Sequence, residues 1–197
     1  LWHLRGRVPL RGHQNGTGGD LAARRNVSTP TFGQALMAMK RTPGAAGGSA
    51  QYRLYDRFLE SVTPGTLTWI GVRPAHRAAM CALEETTAIA GLGLEGDHRC
   101  EKSPGSGRQV TVISEEFMAE IARCLGRDAI DPAWLRRNLV VKGLNLNALR
   151  HHQFTIGEAL FEAGALCHPC SRMEQALGRG GVAAMLGYGG LCCKIIH

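Results

Sequence analysis

The stretch Gly164-Ala-Leu-Cys-His-Pro-Cys-Ser-Arg-Met-Glu-Gln-Ala-Leu177 organises the rest of the chain. The apolar run Ala159 to Leu166 predicts a strand that leads directly into it. The strand ends at a Cys-x-x-Cys sequence, formed by Cys167 and Cys170. A strand that delivers two thiols to the start of a helix is a candidate reactive site.

A short helix is predicted immediately after Cys170, because Ser171 and Glu174 have the spacing of a capping box. The positive end of the helix dipole lowers the pKa of a thiol at this place and favours the thiolate. Arg172 adds further positive charge. We therefore predict that Cys170 is the reactive cysteine.

Three other interpretations of these cysteines stay open at the level of local chemistry. Cys170 fits a small buried hydrophobic residue, and the Cys-x-x-Cys pair fits either a redox disulfide or half of a zinc site. A structural zinc needs two more ligands, and the adjacent Cys192 and Cys193 are poorly spaced to supply them.

Composition predicts a globular protein of the cytoplasm. A chain of 197 residues with 44% apolar and 20% charged residues suits one domain with a full core and an additional segment. No run approaches the roughly 18 apolar residues of a membrane span, so no membrane association is expected. Seven irregularly spaced cysteines without a secretory signal pattern favour reduced thiols over a disulfide framework.

The net charge of +7 is concentrated at the N-terminus. Residues 1–66 hold nine Lys/Arg and three Asp/Glu, whereas residues 67–197 hold fourteen and thirteen. The globular part is thus nearly neutral, which argues against a nucleic-acid partner. We predict a disordered basic leader over residues 1–50, a short helix and linker over 51–66, and one domain over 67–197.

From Leu67 onward, strands outnumber helices. Leu67 to Arg73, Thr86 to Leu94 and Arg108 to Ser114 have strand composition, and Ser114 is predicted to cap a following helix. Asp131 and Pro132 predict the start of another short turn of helix. This order favours a mainly β fold with a few short helices, closed or nearly closed as a β-barrel.

Six short motifs then occur in order: Gly96-Asp97-His98, Arg108-Gln-Val-Thr-Val-Ile-Ser114, Arg136-Arg-Asn-Leu-Val-Val-Lys-Gly143, Phe154-Thr-Ile-Gly157, Cys167-His-Pro-Cys170-Ser-Arg-Met173 and Gly189-Gly190. Together they closely resemble the MOSC domain family, named for the C-terminal domain of molybdenum cofactor sulfurases. The resemblance spans about residues 67–197. It implies a MOSC-type β-barrel that binds a molybdopterin-type molybdenum cofactor.

The resemblance also implies roles for particular residues. Cys170 matches the cysteine that supplies a sulfur ligand to molybdenum or carries a persulfide. His168 is a candidate proton donor because of its place two residues before Cys170, not because of the family pattern. The other candidates for cofactor binding are Arg136, Asn138, Ser114, Arg108 and Arg172. Of these, Arg136 and Asn138 match the family's Arg-x-Asn element, which faces the pterin phosphate. A soft thiolate suits molybdenum, and guanidinium groups suit a phosphate.

Two departures from the family pattern affect these expectations. Family members continue after the Gly-Gly motif with a Gly-Asp turn and another strand, so a barrel without its last strand is expected, its edge open or filled by a partner. Residues 1–66 also do not resemble the additional N-terminal β-rich domain of the mitochondrial-type reductases.

Three functions follow from the resemblance. The first is a molybdenum-cofactor-dependent oxidoreductase that reduces N-hydroxylated small molecules, working with a redox partner. The second is a sulfur carrier or sulfurtransferase that passes a persulfide from Cys170 between a donor and an acceptor protein. The third is an inactive binding module.

Overall fold

The computed structural model describes residues 27–28, 33, 35–41, 58–59 and 62–197, and of the two N-terminal strands it describes the backbone. The strands in this part of the chain are β1 (Val27–Ser28), β2 (Ala35–Arg41), β3 (Gly65–Val72), β4 (Cys81–Leu83), β5 (Ala88–Ile89), β6 (Gly93–Leu94), β7 (Val110–Ser114), β8 (Leu139–Lys142), β9 (His152–Ile156), β10 (Ala159–Leu166) and β11 (Leu191–Ile195). The predicted mainly β fold is confirmed.

The helices are few and short. They are α1 (Glu115–Cys124), α2 (Pro132–Leu135), α3 (Ser171–Leu177) and α4 (Gly181–Met185), with 3-10 turns at His98–Glu101 and Leu146–Leu149. None of the described helices combines the length and apolar character needed to cross a membrane.

One large sheet forms the body of the molecule, in the strand order β2-β9-β10-β11-β7-β8-β3-β4. Every pairing in it is antiparallel except that of β7 with β8. The backbone of β2 also pairs with the start of β3, where Ala35 faces Thr66 and Leu36 faces Gly65. This short ladder joins β2 to β3, so that seven strands close as a barrel and β4 extends the sheet beyond β3; β1, β5 and β6 form a separate small sheet.

Buried apolar side chains from the strands and from α1 fill the core. All five residues of β7 are buried, since this strand lies between β11 and β8 and is covered by α1. In β9 and the first half of β10, buried and partly exposed positions alternate, as expected for strands with one face toward the core. The rings of Phe154 and Phe161 stack across these two strands with centroids 5.5 Å apart.

Several local predictions agree with the structure. Ser114 accepts a hydrogen bond from the backbone N–H of Phe117 and caps α1, and Asp131 caps α2 with Pro132 as its first residue. The first strand of the predicted domain begins at Gly65, two residues before the predicted Leu67.

The capping box predicted at α3 is wrong. The helix begins at Ser171, but the cap residue is Cys170, whose side chain makes no capping hydrogen bond. The Glu174 carboxylate instead accepts hydrogen bonds from the backbone N–H groups of Gly180 at 2.7 Å and Val182 at 2.8 Å. Glu174 therefore joins α3 to the start of α4.

The prediction that residues 1–50 stay outside the fold is also wrong for two short segments. Strand β1 pairs with β5, and β2 lies between β9 and β3. Hydrogen bonding between backbones needs no apolar periodicity, which is why the Gly-rich composition of this region concealed the strands. Residues 51–57, 60 and 61 of the predicted helix and linker over 51–66 lie outside the described residues.

The ladders bring several chain segments to one rim of the barrel. Ile70 near the end of β3 faces Leu139 at the start of β8, which in turn faces Val112 of β7. Val112 faces Leu191, which pairs with Leu166 at the end of β10. The segment Cys167 to Cys170 therefore lies on the same rim as the ends of these strands.

Removing the strand β2 should destabilise the barrel. We expect a chain that begins at Tyr52 to melt at least about 5 °C below a chain that begins at Asn26, because the backbone groups of β9 and β3 that pair with β2 lose their partners. Thermal unfolding of the two shortened chains, followed by circular dichroism, measures the difference. Equal melting temperatures would show that β2 contributes nothing to stability.

Candidate functional site

A pocket of about 250 Å3 opens at this rim, and we call it the basic pocket. Its cationic lining residues are Arg73, Arg77, Arg99, Lys102, Arg108 and Arg172. His76, His98 and Cys170 also line it, whereas no Asp or Glu does. A concave site with this excess of positive charge attracts anions.

A buried carboxylate organises the floor of the basic pocket. Asp97 is 3% exposed and accepts hydrogen bonds from the backbone N–H groups of Arg73 at 3.1 Å and Arg99 at 3.0 Å. It also lies 3.6 Å from Nε of Arg73 and 3.0 Å from Nδ1 of His98. Asp97 thus fixes the backbone of the pocket wall, whereas Nε of Arg73 and Nδ1 of His98 lie near it without a hydrogen-bond partner.

The side-chain amide of Asn138 makes all of its hydrogen bonds to other groups of the protein. Its Oδ1 accepts from the backbone N–H and the hydroxyl of Thr111, at 3.1 and 2.9 Å. Its Nδ2 donates to the backbone carbonyl of Gly71 at 3.1 Å and to Asp97 at 3.0 Å. Asn138 lines the basic pocket, but its amide is fully used in joining β3, β7 and β8.

A larger cavity of about 910 Å3 adjoins the basic pocket and shares Arg77 and Arg172 with it. Arg136 and the exposed indole of Trp134 line this cavity. Nη1 of Arg136 donates to the carbonyl of Ala78 at 3.0 Å, whereas Nη2 is buried without a hydrogen-bond partner.

Positive charge is crowded between the two cavities. Loss of solvation lowers the pKa of Arg136, and the charges of Arg73 and Arg172 lower it further. Arg136 also has a left-handed backbone, with φ of 57°, at the end of α2. The residues that line the two cavities include these arginines and no carboxylate.

The two cysteines of the Cys-x-x-Cys sequence lie in different surroundings. Cys170 is exposed and lines the basic pocket, whereas Cys167 is 1% exposed. A hydrogen bond donated by Cys192 lowers the pKa of Cys167 to about 6. Burial raises this pKa, and the nearby charge of Arg137 lowers it. The same hydrogen bond and burial raise the pKa of Cys192.

Arg137 is the buried cation beside this thiol pair. It donates to the carbonyls of Gly189 at 2.7 Å, Leu135 at 2.8 Å and Cys167 at 3.2 Å. Burial lowers its pKa, and the Cys167 thiol opposes that shift most strongly. A Cβ on Gly189 would collide with the carbonyl of Cys167, so the Gly-Gly motif permits the close approach that places these groups together.

Residues 97–189 match the family model described as the MOSC domain. The chain carries a MOSC domain. The family resemblance of the six motifs is confirmed by this match.

Solved structures share the fold of this MOSC domain. The YuaD protein of Bacillus subtilis is 20% identical with a TM-score of 0.51, over 66% of this chain and 88% of that one. YiiM of Escherichia coli is 20% identical with a TM-score of 0.50, over 66% of this chain and 62% of that one. A structure described as a hypothetical protein is 22% identical with a TM-score of 0.53, over 65% and 60%. The chain therefore spans less than two thirds of the latter two proteins, and no curated protein sequence matches it.

The MOSC domain gathers some of the predicted site residues and separates others. Cys170, Arg108, Arg172 and Asn138 line the basic pocket, and Arg136 lines the adjoining cavity. The remaining two are apart from it, since Ser114 is fully buried as the cap of α1 and His168 lines a small cleft beside Cys167.

Sequence reasoning did not assign Arg73, His76, Arg99 or Lys102 to the site. Arg73 and His76 lie on the connection between β3 and β4, and Arg99 and Lys102 follow the Gly-Asp-His motif; charged residues in such polar segments give no local signal of function. In the described residues, no group of three or more His, Cys, Asp or Glu could hold a metal ion, so the zinc interpretation has no ligand set there.

The hydrogen bond between the buried thiols generates a pH prediction. Cys192→Ala removes the donor, so the pKa of Cys167 should rise and its thiolate absorbance near 240 nm should appear at higher pH than in the wild type. Because a thiol with a lowered pKa stabilises the fold as the thiolate, its contribution is lost as the pH falls through about 6. Cys124→Ser, which changes an exposed thiol on α1, is the control. An unchanged midpoint in Cys192→Ala would contradict the assignment.

Proposed function

We propose that this MOSC domain binds a molybdenum cofactor at the basic pocket, with the Cys170 thiolate as a ligand of the metal. With that cofactor it acts as an oxidoreductase that removes oxygen from N-hydroxylated small molecules. It works in the cytoplasm and receives electrons from a redox partner.

One observation carries the proposal: an exposed thiol, Cys170, opens onto a pocket lined by six cations and no carboxylate. The donor set fits the chemistry of the cofactor, since a thiolate is a soft ligand suited to molybdenum and guanidinium groups bind a phosphate through paired N–H donors. When bound, the cofactor supplies the two electrons of the reduction.

The residues of the chain would divide the remaining tasks. The cations of the basic pocket hold the anionic part of the cofactor, and the buried Nη2 of Arg136 is a donor that still lacks a partner. Asp97 and Asn138 have an indirect role. Asp97 accepts hydrogen bonds from the backbone N–H groups of Arg73 and Arg99, and Asn138 donates to Asp97. The larger cavity beyond Arg136 leaves room for the rest of the cofactor or for substrate.

A sulfur-carrier function is the second candidate, and the exposure of Cys170 favours it. An acceptor nucleophile would attack the outer sulfur of a Cys170 persulfide, with the Cys170 thiolate as leaving group. The surrounding cations would stabilise the persulfide anion and the Cys170 thiolate that remains after the transfer. This function needs a sulfur donor and an acceptor protein but no bound metal.

The metal and pterin content of the purified chain separates the candidates, and Cys170→Ser tests the site. We expect the wild type to carry near-stoichiometric molybdenum and the Cys170→Ser protein to lose the metal and the activity, since a serine hydroxyl is not ionised near neutral pH. Cys124→Ser is the matched control, because it removes another exposed thiol away from the pocket.

Elemental analysis and pterin fluorescence after denaturation measure the outcome. Molybdenum retained in Cys170→Ser would remove the metal-ligand role. A metal-free wild type with labile sulfur on Cys170 would support the carrier, and neither metal nor labile sulfur would leave an inactive binding module.

Arg136 offers a second test. Arg136→Ala should weaken the affinity for the cofactor by about 10- to 150-fold, because a charge-assisted hydrogen bond worth about 1.5–3 kcal/mol is lost. The cofactor content of the purified variant should fall as a result. Arg136→Lys should recover only part of the affinity, because an ammonium group cannot form the paired fork. The control is Arg123→Ala, which removes an exposed guanidinium paired with Glu120 on α1. Full cofactor content in Arg136→Ala would contradict the role.

A further inference from the structure

Two buried thiols, those of Cys167 and Cys192, lie next to each other in the wall of the barrel. The Cys192 thiol donates a hydrogen bond to the sulfur of Cys167. The strands hold both residues in place, because Leu166 pairs with Leu191 and the N–H of Cys167 donates to the carbonyl of Gly190 at 2.7 Å. Two sulfur atoms already joined by a hydrogen bond need only a small approach to form a disulfide.

A buried cation beside the pair favours the anionic form of Cys167. Arg137 is 3% exposed and donates to the carbonyls of Gly189, Leu135 and Cys167. None of these carbonyls carries a net charge, so the buried guanidinium still needs an anion. Burial lowers the pKa of Arg137, and the charge of Cys167 opposes this shift most strongly. The thiolate is the form of cysteine that reacts with oxidants.

A small cleft borders Cys167. The residues that line it include His168, Gly187 and Gly189 together with Cys167, and its volume is about 10 Å3. This volume is close to the minimum that holds one water molecule. The cleft therefore favours a small neutral reagent such as hydrogen peroxide, which is little larger than water, over bulky thiol reagents.

The Cys-x-x-Cys sequence left a redox disulfide between Cys167 and Cys170 open. In the structure, Cys170 is exposed and lines the basic pocket, whereas Cys167 is buried in contact with Cys192. The thiol that accompanies Cys167 therefore comes from the barrel strand β11 and not from the same Cys-x-x-Cys sequence.

We propose that Cys167 is a site of oxidation by hydrogen peroxide and that Cys192 resolves it, so that a disulfide joins the end of β10 to β11. The Cys167 thiolate attacks one oxygen of the peroxide. The S–O bond forms, the O–O bond breaks, and the leaving hydroxide takes up a proton from solvent. The sulfur of Cys192 then attacks the sulfenic acid sulfur of Cys167.

This second step forms the S–S bond and breaks the S–O bond. The hydroxide leaves as water with the thiol proton of Cys192. Overall, two thiols lose two electrons and two protons, and the peroxide is reduced to two waters. The disulfide takes away the anionic partner of Arg137 and leaves Cys170 as a free thiol. The inference is independent of the proposed reductase function, since it needs neither the cofactor nor a substrate.

Mass spectrometry of the full chain, treated with hydrogen peroxide and digested with trypsin, tests the proposal. Trypsin leaves Cys167 and Cys170 in the peptide 151–172 and Cys192 in the peptide 180–194. We expect the oxidised chain to yield these two peptides as a linked pair that dithiothreitol separates. The untreated chain, which should yield the two peptides separately, is the control.

Single substitutions assign the sulfur atoms of the linked pair. The pair should persist in Cys170→Ser and in Cys193→Ala. It should be lost in Cys167→Ala and in Cys192→Ala. In Cys192→Ala, the peptide 151–172 should gain oxygen at Cys167, because a sulfenic acid without a resolving thiol is oxidised further to the sulfinic acid. Circular dichroism shows which variants are folded, and fragmentation of the wild-type pair assigns the sulfur atoms where a variant is not.

Three results would overturn the proposal. A disulfide between Cys167 and Cys170, or a linked pair that persists in Cys192→Ala, would remove the role of Cys192. Oxidation confined to the exposed cysteines would remove the role of Cys167. Because the cofactor-free chain should give the linked pair as well, the absence of molybdenum would count against the reductase proposal alone.

Discussion

The carboxylate of Asp97 is the constraint on which the rim of the barrel depends. A buried charge is costly unless hydrogen bonds and opposite charges satisfy it, and Asp97 receives two backbone N–H groups, the Asn138 amide and contacts from Arg73 and His98. Asn138 extends the same network to Thr111 and to the carbonyl of Gly71. Three strands and the turn that carries the Gly-Asp-His motif are therefore joined at one point, and the wall of the pocket follows from that connection.

The basic pocket gathers like charges at a cost to stability. Six cations line it without a lining carboxylate, and Arg136 at its border keeps a buried Nη2 without a hydrogen-bond partner. Mutual repulsion of this kind destabilises a fold unless an anion compensates it. The charge arrangement thus supports an anionic ligand independently of family membership, and it gives the proposed cofactor role a basis in the electrostatics of this chain.

The two cysteines of the Cys-x-x-Cys sequence differ in their exposure to solvent and in the groups around their thiols. Sequence reasoning expected the low pKa at Cys170, through the helix dipole. At Cys167, a hydrogen bond from Cys192 and the buried charge of Arg137 favour the thiolate and lower the pKa. Cys170 keeps the exposure that a metal ligand or sulfur carrier needs. One thiol is therefore part of the folded interior, and the other faces the pocket.

Local chemistry by itself determined strands β3, β7 and β10, the Ser114 cap of α1, the Asp131-Pro132 start of α2 and the position of Cys170 at the start of α3. Periodicity and capping act over a few residues, so the sequence displays them directly. Tertiary structure alone decided that β2 joins the barrel, that the Asn138 amide is consumed by Gly71, Thr111 and Asp97, and that Ser114 and His168 lie away from the pocket. It also placed Arg73, Arg99 and His98 beside Cys170. These groups lie on segments joined by contacts between residues 27 to 76 positions apart, and only the pairing of distant strands sets such contacts.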